Sequence, residues 1–250
     1  RAARPASHQP GPHEGRMHPM MSRNARIAAA VAALLLVTLY LLPMWYIRLG
    51  APQYPEGLGL DIWIDRITGL GPNDLQNING LNHYIGMKRI TPEDIPELRF
   101  MPIVVAGLIA LGMLVAATGR RWLLHAWAGV FVLVALAGLY DFWRWEYDYG
   151  HNLDPTAAIR IPGMSYQPPL LGTKQLLNFV ATSLPGPAGW AALAALALVL
   201  AAVVLEWRRA RAARSGPEAG NGGDGAPLTL IDERAVARTP RRAGRSQATV

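Results

Sequence analysis

Four apolar runs of near-membrane length divide this chain, at about residues 27–47, 101–118, 122–142 and 188–205. A helix rises 1.5 Å per residue, so some twenty residues cross the ~30 Å hydrocarbon layer of a bilayer. Each run therefore predicts a membrane-spanning helix. The stretches between them differ in kind. The second and third runs are joined by Gly119-Arg120-Arg121 alone, whereas 48–100 and 143–186 are long, polar and broken by Pro and Gly. The pattern predicts an all-α membrane protein of four transmembrane helices, with a small mixed extracytoplasmic cap formed by the two long loops.

Within the first long segment, Leu58, Leu60, Ile62 and Ile64 alternate with Gly59, Asp61 and Trp63, the period of a short strand. After the break at Gly69-Leu70-Gly71-Pro72, Asn73 is placed to cap a helix with the stripe Leu75, Ile78, Leu81 and Ile85. Gln76, Asn79, His83 and Met87 then share another face. Thr91-Pro92-Glu93-Asp94 reads as a second helix start. In the second long segment, Thr173 is expected to cap a short amphipathic helix carrying Leu176, Leu177, Phe179 and Val180.

Charge orients the spans. Arg23 and Arg26 precede the first, Arg120 and Arg121 join the second to the third, and Arg208, Arg209, Arg211 and Arg214 follow the fourth. Basic residues stay on the cytoplasmic side, so both termini are expected inside and the cap outside a bacterial inner membrane. A cleaved signal peptide competes for the first run. That run is long and ends in Pro43-Met44-Trp45-Tyr46 rather than in small residues, which favours an uncleaved anchor. The formal net charge of +7 is accounted for by these clusters and the ends, not by a nucleic-acid surface. Residues 1–22 read as a disordered or mis-called extension and 215–250 as a disordered tail. The histidines His8, His13 and His18 in the former carry little weight as ligands.

The chain has no Cys, so any soft-metal site must use Met and His. His83 and Met87, four apart, would project together from a helix; His151 and Met164 lie in the other long segment. Alternating topology brings both segments to one side, and these four residues form a candidate copper(I) site. The plainer reading is that they pack or satisfy hydrogen bonds. His125 sits near the cytoplasmic end of the third span, where interfacial placement explains it. Glu56, Asp61, Asp65, Glu146, Asp148 and Asp154 are acids of the outer side, read as a solvated surface. Neither a phosphate loop nor a zinc-protease motif is found.

The segments APQYPEGL, INGLNHYIGM, YDYGHNLDP and PGMSYQPPLLGTKQLLNF resemble an uncharacterised family of multi-pass inner-membrane proteins associated with gene clusters for nitrous-oxide reductase and its copper maturation. The likeness covers roughly 27–207. It implies a role in copper delivery or electron supply to a periplasmic copper enzyme, with that enzyme or its maturation proteins as partners. It brings no established catalytic residues. Two alternatives stand beside it, a docking subunit of a respiratory assembly without metal, and a permease.

Overall fold

A serine and a proline bound the first helix. Ser22 Oγ accepts from the Ala25 N–H at 3.2 Å, capping α1 (Arg23–Leu36), which tightens into a 3-10 turn at Val37–Tyr40. Pro43 lies past the end, and the backbone then extends into β1 (Trp45–Ala51). The 18 residues from Arg23 to Tyr40 are apolar enough to cross a membrane, but the expected span to residue 47 is cut short. Trp45, Tyr46 and Ile47 belong to a strand. Apolar content runs unbroken across the boundary, so hydropathy alone merges the two elements.

The computed structural model describes residues 20–214; apart from residues 20–22, the disordered ends read from the sequence lie outside them. After β1 come β2 (Tyr54–Ile62), β3 (Ile67–Gly69), α2 (Asp74–Ile85), α3 (Glu97–Thr118), α4 (Arg121–His151), β4 (Gly172–Leu176), β5 (Phe179–Pro185) and α5 (Pro187–Arg214). The five strands form one antiparallel sheet in the order β3-β2-β1-β5-β4. The all-α expectation is therefore wrong, and the fold is mixed α/β. The alternation at Leu58, Leu60 and Ile62 is strand β2, with all three buried. Ile64 leaves the strand and packs into the helical core instead.

The amphipathic helix expected after Thr173 is a hairpin. Leu176 pairs with Phe179 around the two-residue turn Leu177-Asn178. The inward positions of β5 are Ala181, Ser183 and Pro185, too small or polar to mark a buried face, while the larger Leu and Val residues imitated a helical stripe. The helix start expected at Thr91 is a single 3-10 turn, Pro92–Asp94. The third span is longer than its apolar run, since α4 continues without a break through 143–151.

Among the described residues, four helices are long and apolar enough to cross a membrane. Large apolar side chains cover their outer faces: Ile103, Leu133 and Trp190 are 73%, 68% and 59% exposed. A surface of that kind is suited to lipid, so the protein is a membrane protein. Inside the bundle, small residues allow close approach. Ala33 of α1 faces Gly112 of α3, where an added Cβ would stand 2.9 Å from the Ala33 side chain, and Ala25, Ala29 and Ala32 lie in the same buried cluster as Ala188, Ala195, Val199 and Ala202 of α5. Trp127 of α4 is fully buried and donates its indole N–H to the Leu108 carbonyl of α3 at 3.0 Å.

The two ends of the bundle differ. Connectivity puts the end of α1, the start of α3, the end of α4 and the start of α5 at the sheet. The opposite end gathers the arginines. There Arg26 donates to the carbonyls of Ala116 and Ala117 at 2.8 and 2.9 Å, capping α3. Its neighbour Glu206, with no exposed side-chain surface, accepts from the Ser22 N–H at 3.0 Å and pairs with Arg121 at 2.9 Å. One carboxylate thus ties α1, α4 and α5 together. His125 is exposed in the first turns of α4, its Nδ1 2.7 Å from the Arg121 carbonyl.

Removing one side of a buried ion pair strands the other, at a cost of roughly 3 kcal/mol. Glu206→Ala is expected to lower the apparent melting temperature in detergent by roughly 10 °C. Glu206→Gln, which keeps an acceptor for Ser22, should lose less. Equal losses in the two variants, or none, would remove this clamp from the account of the bundle.

Candidate functional site

The site is built on α2 and on the part of α4 that outruns the membrane. Asp74, in the first turn of α2, accepts from the Gly59 N–H at 2.9 Å and fixes the helix to β2. Ile78 then faces the sheet, buried to 2% exposure. Asn79 brackets the backbone of Ile90, accepting from its N–H at 2.7 Å and donating to its carbonyl at 3.0 Å. The helix stops at Gly86, whose φ of 81° is a left-handed conformation that glycine adopts without strain. A side chain there would also press on Asp154 and Ala157 at 3.0 Å. The two long segments meet here, with Asp154 N–H donating to the Gly86 carbonyl at 2.8 Å and Ile159 N–H to the Tyr84 carbonyl at 2.9 Å.

Counted from Arg121, about twenty residues use up the hydrocarbon thickness near Phe142. Beyond that point α4 packs against the sheet instead of lipid. Phe142 meets Trp45 edge-on at 5.4 Å, and Trp145 and Tyr149 join the cluster formed by β1, β2 and α2. Gly150 lets the chain 166–167 lie against the helix: a Cβ there would stand 2.4 Å from the Gln167 backbone. Tyr166 N–H donates to the Gly150 carbonyl at 2.9 Å, which seats the tyrosine beside the helix.

These elements enclose a cavity of about 350 Å³, within the ~300–1,000 Å³ range of small-molecule sites. Its walls are mainly apolar: Ile47 and Leu60 from the sheet, Ile78 and Ile85 from α2, Trp145 and Tyr149 from α4. Gln53, Asn82 and Asn178 add amide groups to that surface, and two further polar side chains in its wall lack partners. Glu146 has no exposed surface, and neither carboxyl oxygen has a hydrogen-bond partner among the described residues. Tyr166 is 3% exposed and its hydroxyl is likewise unpartnered. Most buried polar groups are paired, because leaving one unmade costs about 1–3 kcal/mol. Burial alone pushes the Glu146 carboxyl up to about 8, so at neutral pH it is chiefly a neutral acid that can donate one O–H. Glu146 therefore does not belong with the solvated outer acids, where sequence reading placed it.

The four expected copper ligands lie in three places. His83 is exposed on α2, and Met87, half-buried, lies just past Gly86, so the two do not share a helix face. They do line one open groove, together with Gln76, Asn79 and Arg89. His151 is not in a loop. It is the last residue of α4, exposed, stacked on Tyr147 at 4.0 Å, with its Nδ1 3.1 Å from the Tyr147 carbonyl. Met164 is half-buried in the following loop, where its N–H donates to the Ile161 carbonyl at 3.1 Å. Neither lines the groove. Among the described residues, no group of three or more His, Cys, Asp or Glu side chains could hold a metal ion.

The rim of the site is charged and conventional. Lys88 pairs with Asp148 at 2.5 Å, joining the return from α2 to α4. Asp154 accepts from the backbone N–H and the hydroxyl of Thr156, at 2.8 and 2.7 Å, and these bonds hold its carboxyl below the usual range. His83 adds a smaller contribution of the same sign. The cavity itself was missed by sequence reading, although one signal pointed to it. Phe142, Trp145 and Tyr149 continue the helical period past the span, and Glu146 lies inside that period.

The buried acid gives a pH-dependent stability with a definite sign. Its folded pKa lies above the unfolded value of 4.5, so the folded state holds the proton more tightly between about pH 4.5 and 8. Stability falls as pH rises through that window and is level above it. Glu146→Gln removes the titration. The variant is expected to melt on the order of 10 °C higher than the parent at pH 9 and to come within a few degrees of it at pH 5. A gain that is the same at both pH values would contradict the buried neutral acid. Neither a protein-family model nor a curated protein matches the chain, which leaves the cavity's own chemistry to speak for its ligand.

Proposed function

We propose that this protein is a membrane-anchored binding protein, an accessory component of the bacterial inner membrane whose extracytoplasmic cap holds a lipophilic small molecule. The observation that carries this reading is the mainly apolar cavity between α2, α4 and the sheet, with the unpartnered polar groups of Glu146 and Tyr166 buried in its wall. A cavity that only filled space would be cheaper without them. The arginines at the far end of the bundle support the orientation with the cap outside. A permease path through the bundle finds no support in its core of Ala, Val, Leu and Trp.

Copper handling beside a periplasmic copper enzyme or its maturation proteins is the second reading. The shared groove of His83 and Met87 favours it, as does the resemblance of the two outer segments. His151 and Met164 stand apart from that groove, so a copper(I) site there would have two protein donors and take the rest from a partner.

Three measurements separate these statements. Protein purified in mild detergent is expected to carry a lipophilic molecule recoverable by organic extraction and mass spectrometry. Ile78→Trp, which fills the cavity, should carry none while remaining monodisperse; equal recovery from both would count against the cavity. Cysteines placed at exposed Gln76 and Thr156 should react with an impermeant thiol reagent in intact cells, and protection of both would reverse the topology. For the second reading, copper(I) titration should show binding that drops at least about tenfold in His83→Ala/Met87→Ala and is unchanged in His151→Ala/Met164→Ala. Absence of binding by the parent would set copper aside.

A further inference from the structure

The lining of the cavity separates into a floor and a rim. Ile47, Leu60 and Ile78 of the floor are buried, whereas Gln53, Tyr84, Ile159, Leu177 and Asn178 are exposed and so mark the mouth. Strand register fixes where that mouth lies. Trp45 pairs with Pro185 where α1 and α5 join the sheet, and Gly50 pairs with Val180 at the other end. The turns at Pro52-Gln53 and Leu177-Asn178 are therefore neighbours at the end of the sheet remote from the bilayer. Resting on the binding reading above, we propose that the cavity is entered through this distal mouth from the aqueous side, and that Leu177 is its gate, the residue that sets the size of what passes.

Backbone geometry singles out Leu177. Among the described residues it is the one non-glycine with a positive φ, 57°. A two-residue hairpin loop demands such a φ, and Gly, Asn or Asp normally supply it. In a bulky residue the left-handed region is an outlier, because Cβ crowds the following carbonyl. Closing the β4–β5 hairpin would thus favour glycine. What leucine adds is an apolar side chain at the rim, and Leu177 lines the cavity. Among the described residues no Lys, Arg, His or Asp lines it, and its one Glu is buried, so entry is graded by size rather than charge.

The surroundings suit a gate at this point. β4 is the edge of the sheet and pairs with β5 alone. The exposed turn is held by the Gln175 amide, which donates to the Leu177 carbonyl at 3.2 Å. Farther back, Lys174 donates to the Gln167 carbonyl at 3.2 Å and anchors the strand. The bilayer end of the sheet is packed instead. Trp45 meets Phe142 edge-on and donates its indole N–H to Ser183 Oγ at 2.8 Å, and none of these three side chains lines the cavity.

The chain has no Cys, so a single introduced thiol reports access. The full chain in mild detergent carries either Ile78→Cys, in the cavity floor, or Gln76→Cys, an exposed reference on α2. Each is treated with methyl methanethiosulfonate and with the bulkier N-(1-pyrenyl)maleimide, and rates are read by mass spectrometry. Adding Leu177→Ala, or Leu177→Gly, which adopts the positive φ without strain, is expected to speed modification of Ile78→Cys at least about tenfold. The gain should be larger for the pyrene reagent, and the rate at Gln76→Cys should not change. An equal gain for the two reagents would overturn size selection. A rise at both thiols would be general loosening and would overturn the gate. Rates at Ile78→Cys indifferent to Leu177 would place the entrance elsewhere, overturning the gate while the cavity stands. No modification of Ile78→Cys in any folded variant, with full reaction in dodecyl sulfate, would overturn the gate and the binding reading together.

Discussion

The pairing of β1 with β5 is the constraint on which the rest of the molecule depends. It joins residues 45–50 to 180–185, strands far apart in sequence, in an unbroken antiparallel register from Trp45↔Pro185 to Gly50↔Val180. The ladder continues past the strands, since Gly186 N–H donates to the Met44 carbonyl at 2.9 Å and Ala188 N–H to the Pro43 carbonyl at 3.1 Å. The exit from α1 and the start of α5 are therefore locked side by side. Two membrane helices become the stalks of one sheet, and the remaining strands add outward on both flanks. Every wall of the cavity refers back to this frame. The sheet supplies one side, α2 is pinned to β2 through Asp74, and α4 is held beneath by Trp45 against Phe142.

Long apolar helices were legible in the sequence because lipid imposes a strong, uniform demand on them. Runs near 101–118 and 188–205 lie within α3 and α5, and the strand at Leu58, Leu60 and Ile62 was legible for the same reason, a clean period with one buried face. What was not legible is instructive. At 27–47 two elements of equal hydropathy abut, and only Pro43 hints at the change from helix to strand. At 179–185 the inward side chains of β5 are Ala181, Ser183 and Pro185, so that strand's buried face left little apolar trace. At 143–151 charged and aromatic residues looked like a membrane exit, although the helix simply persists. The two long outer segments do meet, Asp154 with Gly86 and Ile159 with Tyr84, but spacing says nothing of Gly86. That one glycine turns Met87 off the helix, and with it the paired geometry expected of His83 and Met87.

The buried Glu146 is a local inconsistency in an otherwise consistent design. Its neighbours Trp145 and Tyr149 are what a helix offers a sheet, and an isoleucine in its place would continue the pattern. Sequences that fold well carry few such conflicts, and those that remain concentrate at functional sites. The contrast with Glu206 makes the point within one chain. Both carboxyl groups are buried, yet Glu206 meets a backbone N–H and Arg121, whereas Glu146 meets nothing. The first stabilises the bundle. The second is a buried acid left without a partner in the cavity wall.

The groove and the cavity are not independent spaces. Leu81, Tyr84 and Met87 line both, because α2 forms a single partition with the groove on its outer side and the chamber within. That partition is fixed firmly at its start, by Asp74, and at its return, by Asn79 and Ile90. Between those anchors the end of α2 hangs on two backbone hydrogen bonds to the second outer segment, at Gly86 and Tyr84. A ligand in the chamber bears on the same three side chains that a metal or partner in the groove would touch. Leu81, Tyr84 and Met87, the side chains around His83, thus form a wall common to both spaces.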